Sequence, residues 1–206
     1  MRQLNHFVIA LVPKSTNASS PSDFRMISYC NVVYKVISKI IAARLADALS
    51  GIISPLQNAF LGDHLMADNI HLAQEPICHY EKKRASPRCL IQIDFRKAFD
   101  SIQWPFIWHL FLLFGFPARF VHLVMTCVET AFYLVAINGA LYGFFPGRYG
   151  VRQGDPLSPY LFISYMEYFS RMLALASQSL EFCFHPKCAP LDISHLAFAN
   201  DVLLIY

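Results

Sequence analysis

A chain of 206 residues, 55% of them hydrophobic, makes one large domain or two small ones and can bury a substantial core. Its net charge of +3 is too small to assign a nucleic-acid partner on charge alone. Six cysteines (Cys30, Cys78, Cys89, Cys127, Cys183 and Cys188) stand without framework spacing, which argues against a disulfide scaffold and for a reducing compartment rather than secretion.

The elements follow in chain order. Residues 6 to 14 form a strand, and their apolar run, Phe7 to Val12, is broken by Pro13 and lacks the cleavage site of a signal peptide. Ser15 to Asp23 is a polar loop. Asn31 to Ser50 is the clearest helix: Val33, Val36, Ile37, Ile40, Ile41, Leu45 and Leu49 recur at helical spacing, and Gly51 ends it. A second helix covers about Met66 to Lys82, with Pro76 as a potential kink. A strand spans 89 to 94. The next helix runs from Pro105 to Phe114, with proline in its first turn and Gly115 past its end. Phe132 to Phe145 forms a hairpin about Asn138-Gly139. Ser158 caps and Pro159 opens a helix to about Ala176. A last hairpin, Phe198 to Tyr206, closes the chain.

The mean hydropathy of +0.38 is high, and the segments Ser101–Ala118 and Thr130–Gly147 carry no charge. Gln103, Pro105 and His109 interrupt the first, and a hairpin turn interrupts the second, so buried core is the better reading and no membrane partner is expected. Irregular alternation of elements argues for an α+β fold with an antiparallel sheet rather than a doubly wound one.

Three segments carry chemistry. Asp94 closes the apolar strand Cys89–Ile93, and Asp100 follows six residues later. Gly150-Val151-Arg152-Gln153-Gly154-Asp155-Pro156-Leu157-Ser158-Pro159 is a tight turn before a helix, with the glycine content that bringing backbone close to a ligand requires. Phe198-Ala199-Asn200-Asp201 places one carboxylate at a hairpin tip. Hard divalent cations prefer such oxygen ligands. Taken singly, each segment also reads as an ordinary cap, loop or turn.

In order and spacing, these segments resemble the reverse transcriptase domain of non-LTR (LINE-type) retrotransposons, most like the plant versions. The resemblance covers about Asn5 to Tyr206. Asp23-Phe24-Arg25-Met26-Ile27-Ser28-Tyr29-Cys30-Asn31-Val32 is similar to the family's fingers segment. Gln57-Asn58-Ala59-Phe60 and Asp68-Asn69-Ile70 look like its next block. Arg96-Lys97-Ala98-Phe99-Asp100, the Arg152–Pro159 run and the final hairpin look like its palm motifs. The implied fold is the fingers and palm of a right-hand polymerase, an antiparallel palm sheet with packed helices. The fingers would lie mainly in 5–88 and the palm mainly in 89–206.

The resemblance also implies roles. Asp94 and Asp201 would ligate two Mg²⁺ or Mn²⁺ ions, with help from the Phe95 backbone carbonyl. Lys14 and Arg25 would hold the triphosphate of a dNTP, where cationic donors suit phosphate oxygens. Phe99 would pack under the incoming sugar, and Gln153 and Gly154 would line the nucleotide and template site. The partners would be an RNA template and a DNA primer, and the reaction in-line transfer from dNTP to the primer 3′-hydroxyl.

The departures bear on activity. Asn200 stands where the family has the first hairpin acid, a degenerate ligand position that brings no negative charge. Asp63-His64 replaces a usual Gly-Arg pair. Ending past the hairpin, the chain is expected to lack the rest of the palm, the thumb and an upstream endonuclease domain. Val202 to Tyr206 would then lie near a poorly covered edge. An impaired polymerase follows, the alternative being a dead relic that at most binds nucleic acid. Cys183, His185 and Cys188 lie close in sequence, but three ligands do not complete a tetrahedral zinc set.

Overall fold

The computed structural model describes residues 4–62, 66–78, 89–95, 97–179 and 181–206. In chain order its elements are β1 (His6–Pro13), β2 (Phe24–Cys30), α1 (Val32–Leu49), α2 (Met66–Ile77), β3 (Leu90–Asp94), α3 (Ala98–Ser101), α4 (Trp104–Leu113), α5 (Ala118–Glu129), β4 (Phe132–Ile137), β5 (Ala140–Pro146), α6 (Ser158–Ala176), β6 (His195–Phe198) and β7 (Asp201–Ile205). They form two compact units, each assembled from two stretches. Unit 1 holds Met1–Ala48 and Phe99–Phe162, and unit 2 holds Leu49–Ala98 and Ile163–Tyr206. The division between 88 and 89 drawn on the sequence is a different one.

Unit 1 is built on a four-stranded sheet in the order β2-β1-β4-β5. β1 runs antiparallel to β2 but parallel to β4, so this sheet is mixed. The β4–β5 turn has Asn138 at φ +50° and Gly139 at +81°, the two positive values that let a two-residue loop follow the strand twist. Pairing slips between Tyr133 and Val135, where Gly143 at φ +69° takes up an extra residue in β5.

The first turn of α1 is held by Asn31, whose Oδ1 accepts the Val33 N–H at 2.8 Å. Its buried face is Tyr34, Ser38, Ile41, Leu45 and Leu49, while Val33, Val36 and Ile40 are exposed. Apolar residues surround this helix, so spacing alone found Ile41, Leu45 and Leu49 but also took the exposed Val33, Val36 and Ile40 and passed over Tyr34. The helix α5 has no counterpart in the sequence reading. Val121, Val124, Met125 and Val128 bury one face of it at the i, i+3, i+4, i+7 spacing of an amphipathic helix.

Unit 2 is built on the antiparallel sheet β3-β7-β6. The expected poorly covered final strand is corrected here: β7 lies at the centre of its sheet, with Val202 and Ile205 each 1% exposed. Leu196, Ile205 and Cys188 form its buried cluster with Leu56, Leu90 and Leu203 packed against them. All six cysteines are free. Among the described residues no helix is long and apolar enough to cross a membrane.

The β6 strand begins with a buried polar bridge. His195 Nε2 lies 2.5 Å from Ser170 Oγ and its Nδ1 lies 3.0 Å from Ser194 Oγ. Burial lowers its pKa from 6.5 to about 4, because the imidazolium would be desolvated. Between these values the unfolded chain binds a proton that the folded chain refuses, so stability falls as pH drops through the window. The loss should reach about 3 kcal/mol, read as a lower urea midpoint at about pH 4.5 than at about pH 7.

Candidate active site

In unit 2 the register of β3 and β7 pairs Asp94 with Asp201 across the sheet, and both side chains are exposed. The tip of the final hairpin is Ala199-Asn200; Asp201 is the first residue of β7 rather than the tip residue. Asn200 Nδ2 donates to Asp94 Oδ1 at 3.0 Å. The amide thus turns a proton donor toward the carboxylate where a metal site would present another acceptor. Phe95 follows Asp94 and seats its ring edge-on against Phe169, centroids 5.3 Å apart, which fixes the end of the strand.

This donor set fits a hard divalent cation in kind, being carboxylate oxygens exposed at the end of a sheet. Among the described residues no three His, Cys, Asp or Glu side chains gather to hold a metal. Cys183 is exposed while His185 and Cys188 are buried.

In unit 1 the turn Val151–Leu157 is held from within. Arg152 is 6% exposed and Asp155 2%, and their side chains meet at 3.0 Å. Arg152 also donates to Asn5 Oδ1 at 3.2 Å, the Tyr34 hydroxyl at 2.9 Å and the Cys127 carbonyl at 2.8 Å. Its guanidinium lies 4.3 Å from the Phe7 ring centre. Tyr34 donates to Asp155 Oδ2 at 2.7 Å, and burial pushes the Tyr34 phenol far above its ordinary value. Burial also lifts the Cys127 thiol to about 11. Asp155 Oδ1 accepts the Leu157 N–H at 3.1 Å. The expected Ser158 cap is instead an acceptor for the Arg152 N–H at 2.9 Å. The sequence reading missed Arg152 and Asp155 as the framework of this turn. Their only signal was the motif itself, since long charged side chains are seldom buried.

That framework presents Gln153 and Gly154, both exposed. The Gln153 carbonyl accepts the Ser28 N–H at 3.0 Å. Gly154 has φ +104°, and a Cβ there would stand 2.7 Å from the Ser28 carbonyl. Its glycine is therefore required by close approach to β2, whatever ligand the turn meets. Gly154→Ala should cost at least about 1–3 kcal/mol, seen as a lower urea midpoint.

Phe99 is half-buried and stacks on Phe162 at 4.4 Å between centroids, 11° from parallel. Lys14 and Arg25 are exposed at one end of the β1–β2 pair, where Lys14 Nζ donates to the Ser22 carbonyl at 2.8 Å. A cleft of about 550 Å³ in this unit is lined by Ile9, Met26, Tyr133, Arg148 and Gln153, with Asp100 at its wall. The structure thus gathers Asp94, Asn200 and Asp201 in unit 2, and builds the positions of Lys14, Arg25, Phe99, Gln153 and Gly154 within unit 1. Arg96, Asp63-His64 and the expected helix end at 79–82 lie outside the described residues.

The fold is that of right-hand polymerases. A telomerase from Candida tropicalis, solved with a fragment of telomeric RNA, superposes with a TM-score of 0.65 at 12% identity, over 98% of this chain and 36% of that one. Apo telomerase truncated from its C-terminal domain, from the same organism, gives 0.62 at 14% identity, over 98% and 44%. The family model "Reverse transcriptase (RNA-dependent DNA polymerase)" matches residues 12–206. The chain belongs to the reverse transcriptase family, with those of non-LTR retrotransposons.

Among its relatives is the Pol polyprotein of the type-2 retrotransposable element R2DM of Drosophila melanogaster, 35% identical over 79% of this chain. Another is the uncharacterized 149 kDa protein of transposon TX1 from Xenopus laevis, 27% identical over 96%. The chain spans 15% of the length of each of these two relatives.

Proposed function

We propose that this chain is the fingers-and-palm portion of an RNA-directed DNA polymerase that extends a DNA primer on an RNA template, working below its family's capacity because of Asn200. The observation that carries the reading is the pairing of Asp94 with Asp201 across β3 and β7, beside a hairpin tip whose Asn200 amide donates to Asp94. Fingers would lie chiefly within residues 5–88 and palm chiefly within 89–206. Asp94 and Asp201, with the Phe95 carbonyl, would hold the divalent ions. Bound there, Mg²⁺ or Mn²⁺ supplies the positive charge that offsets the phosphate oxygens of the nucleotide.

This chain's own residues do the rest. Lys14 and Arg25 bind the triphosphate through charge-assisted hydrogen bonds. Phe99, held by its stack on Phe162, packs under the sugar, where a fixed ring leaves no room for a 2′-hydroxyl. The backbone of Gln153 and Gly154, set by Arg152 and Asp155, lines the base and template. Orientation of this kind is worth several orders of magnitude in rate. Metal-dependent incorporation on a primed RNA template tests the reading. The Asn200→Asp chain should incorporate dNTP, and adding Asp94→Asn should abolish it; incorporation that survives loss of Asp94 contradicts the assignment.

The hydrogen bond from Asn200 to Asp94 also favours a second reading, a chain that binds an RNA–DNA hybrid without reacting. Such binding should weaken steeply with added salt as phosphate contacts are screened, and no binding at low salt removes this reading.

A further inference from the structure

The tip residue Ala199 has φ +51°, a left-handed conformation that is costly for a residue with a Cβ. The two residues after it are Asn200 and Asp201. Something must hold it there, and among the described residues the contacts point to one side chain, Gln57. Gln57 is 1% exposed; its Nε2 donates to the Ala199 carbonyl at 3.3 Å and its Oε1 accepts the Ala199 N–H at 3.0 Å. The same Oε1 accepts the Ala59 N–H at 3.2 Å, which fixes the amide's own orientation. One primary amide therefore binds both polar groups of the strained residue, as a neighbouring strand would.

The loop that carries Gln57 is itself fixed. Two residues before Ala199, the Ala197 N–H donates to the Leu56 carbonyl at 2.8 Å and its carbonyl accepts the Asn58 N–H at 3.1 Å. Further back along the loop, Glu167 on α6 accepts the Ser54 N–H at 2.8 Å. Fixed contacts thus run from α6 through the loop to the turn. We propose that Gln57 is a positioning residue that sets the hairpin tip, and with it the groups of Asn200 and Asp201, against Asp94. Its consequence for metal binding rests on the polymerase reading; the clamp itself does not.

The chemistry demands an amide. A carboxylate lacks the donor, and an apolar side chain lacks both groups and would leave the part-buried N–H and carbonyl of Ala199 without this partner. In the full chain, Gln57→Leu should speed hydrogen exchange at Ala199–Asp201 at least about tenfold, with α6 and the unit 1 sheet changed by less than about twofold. Gln57→Glu keeps the size and supplies a pH profile. Protonated, its carboxyl restores donor and acceptor, so exchange at the tip should match the native chain at low pH, corrected for the intrinsic rate. It should then exceed the native rate as the carboxyl ionises.

In the Asn200→Asp background, Gln57→Leu should weaken Mn²⁺ binding, read by electron paramagnetic resonance, at least about tenfold. If the Asn200→Asp chain with Gln57 intact binds no Mn²⁺, the metal reading fails and the exchange result alone decides the clamp. Unchanged tip exchange in both Gln57 variants overturns the proposal. An equal rise throughout both units in both variants also overturns it, in favour of general packing.

Discussion

Replacing Arg152 by methionine should destabilise the chain by about 3–5 kcal/mol, the largest loss expected of any single change here. The substitution keeps most of the volume yet removes the cation that faces Asp155, a carboxylate only 2% exposed. It also deprives the Asn5 side chain, the Tyr34 hydroxyl and the Cys127 carbonyl of a donor. The asymmetry of buried ion pairs gives the prediction its second half. Breaking a pair strands a charge, whereas replacing both partners with groups that need no counter-charge is much less damaging. Asp155→Asn in the Arg152→Met background should therefore recover part of the loss, because the amide still accepts from Leu157 without a buried charge. Urea unfolding of the two single variants and the double variant measures the coupling. Additive losses would mean that the pair is not the source of the effect.

The second large effect concerns Asn200. Asn200→Asp replaces a donor aimed at Asp94 with a third carboxylate in the same corner. Without metal, the like charges should make the folded chain less stable than the native one. With Mn²⁺ or Mg²⁺, binding to the folded state alone should raise the melting temperature, by an amount equivalent to about 2.7 kcal/mol when the free ion is at 100 times its Kd. The native chain, whose Asp94 already has the Asn200 amide as partner, should show a much smaller metal-dependent shift. Equal shifts in the two chains would show that an amide serves here as well as a carboxylate.

Much of the fold was legible because its signals are local. Asn138-Gly139 marks a two-residue hairpin, Gly115 ends α4, and the apolar run before Asp94 marks β3. What escaped was non-local. Nothing near Val202 states that β3 and β6 will flank β7, so the final strand read as an edge although it is the central strand of its sheet. The apolar positions of α1 surround the helix, and only packing distinguishes Tyr34 from Val33. The acids and the glycine turn were legible as motifs. Their supports were not, because Arg152 and Gln57 are polar residues that the sequence alone would place in solvent. The glycine content of the turn read as backbone approach to a ligand, and at Gly154 the close neighbour within the chain is the Ser28 carbonyl of β2.

Primer extension on a primed RNA template, with native and Asn200→Asp chains side by side in Mg²⁺ and in Mn²⁺, tests the central claim most directly. The expected result is extension by the Asn200→Asp chain at a rate at least about 100-fold above the native one, the scale on which small misplacements of reacting atoms act. Equal extension by the two chains, or none by either, would contradict the claim that position 200 limits a polymerase site built on Asp94 and Asp201.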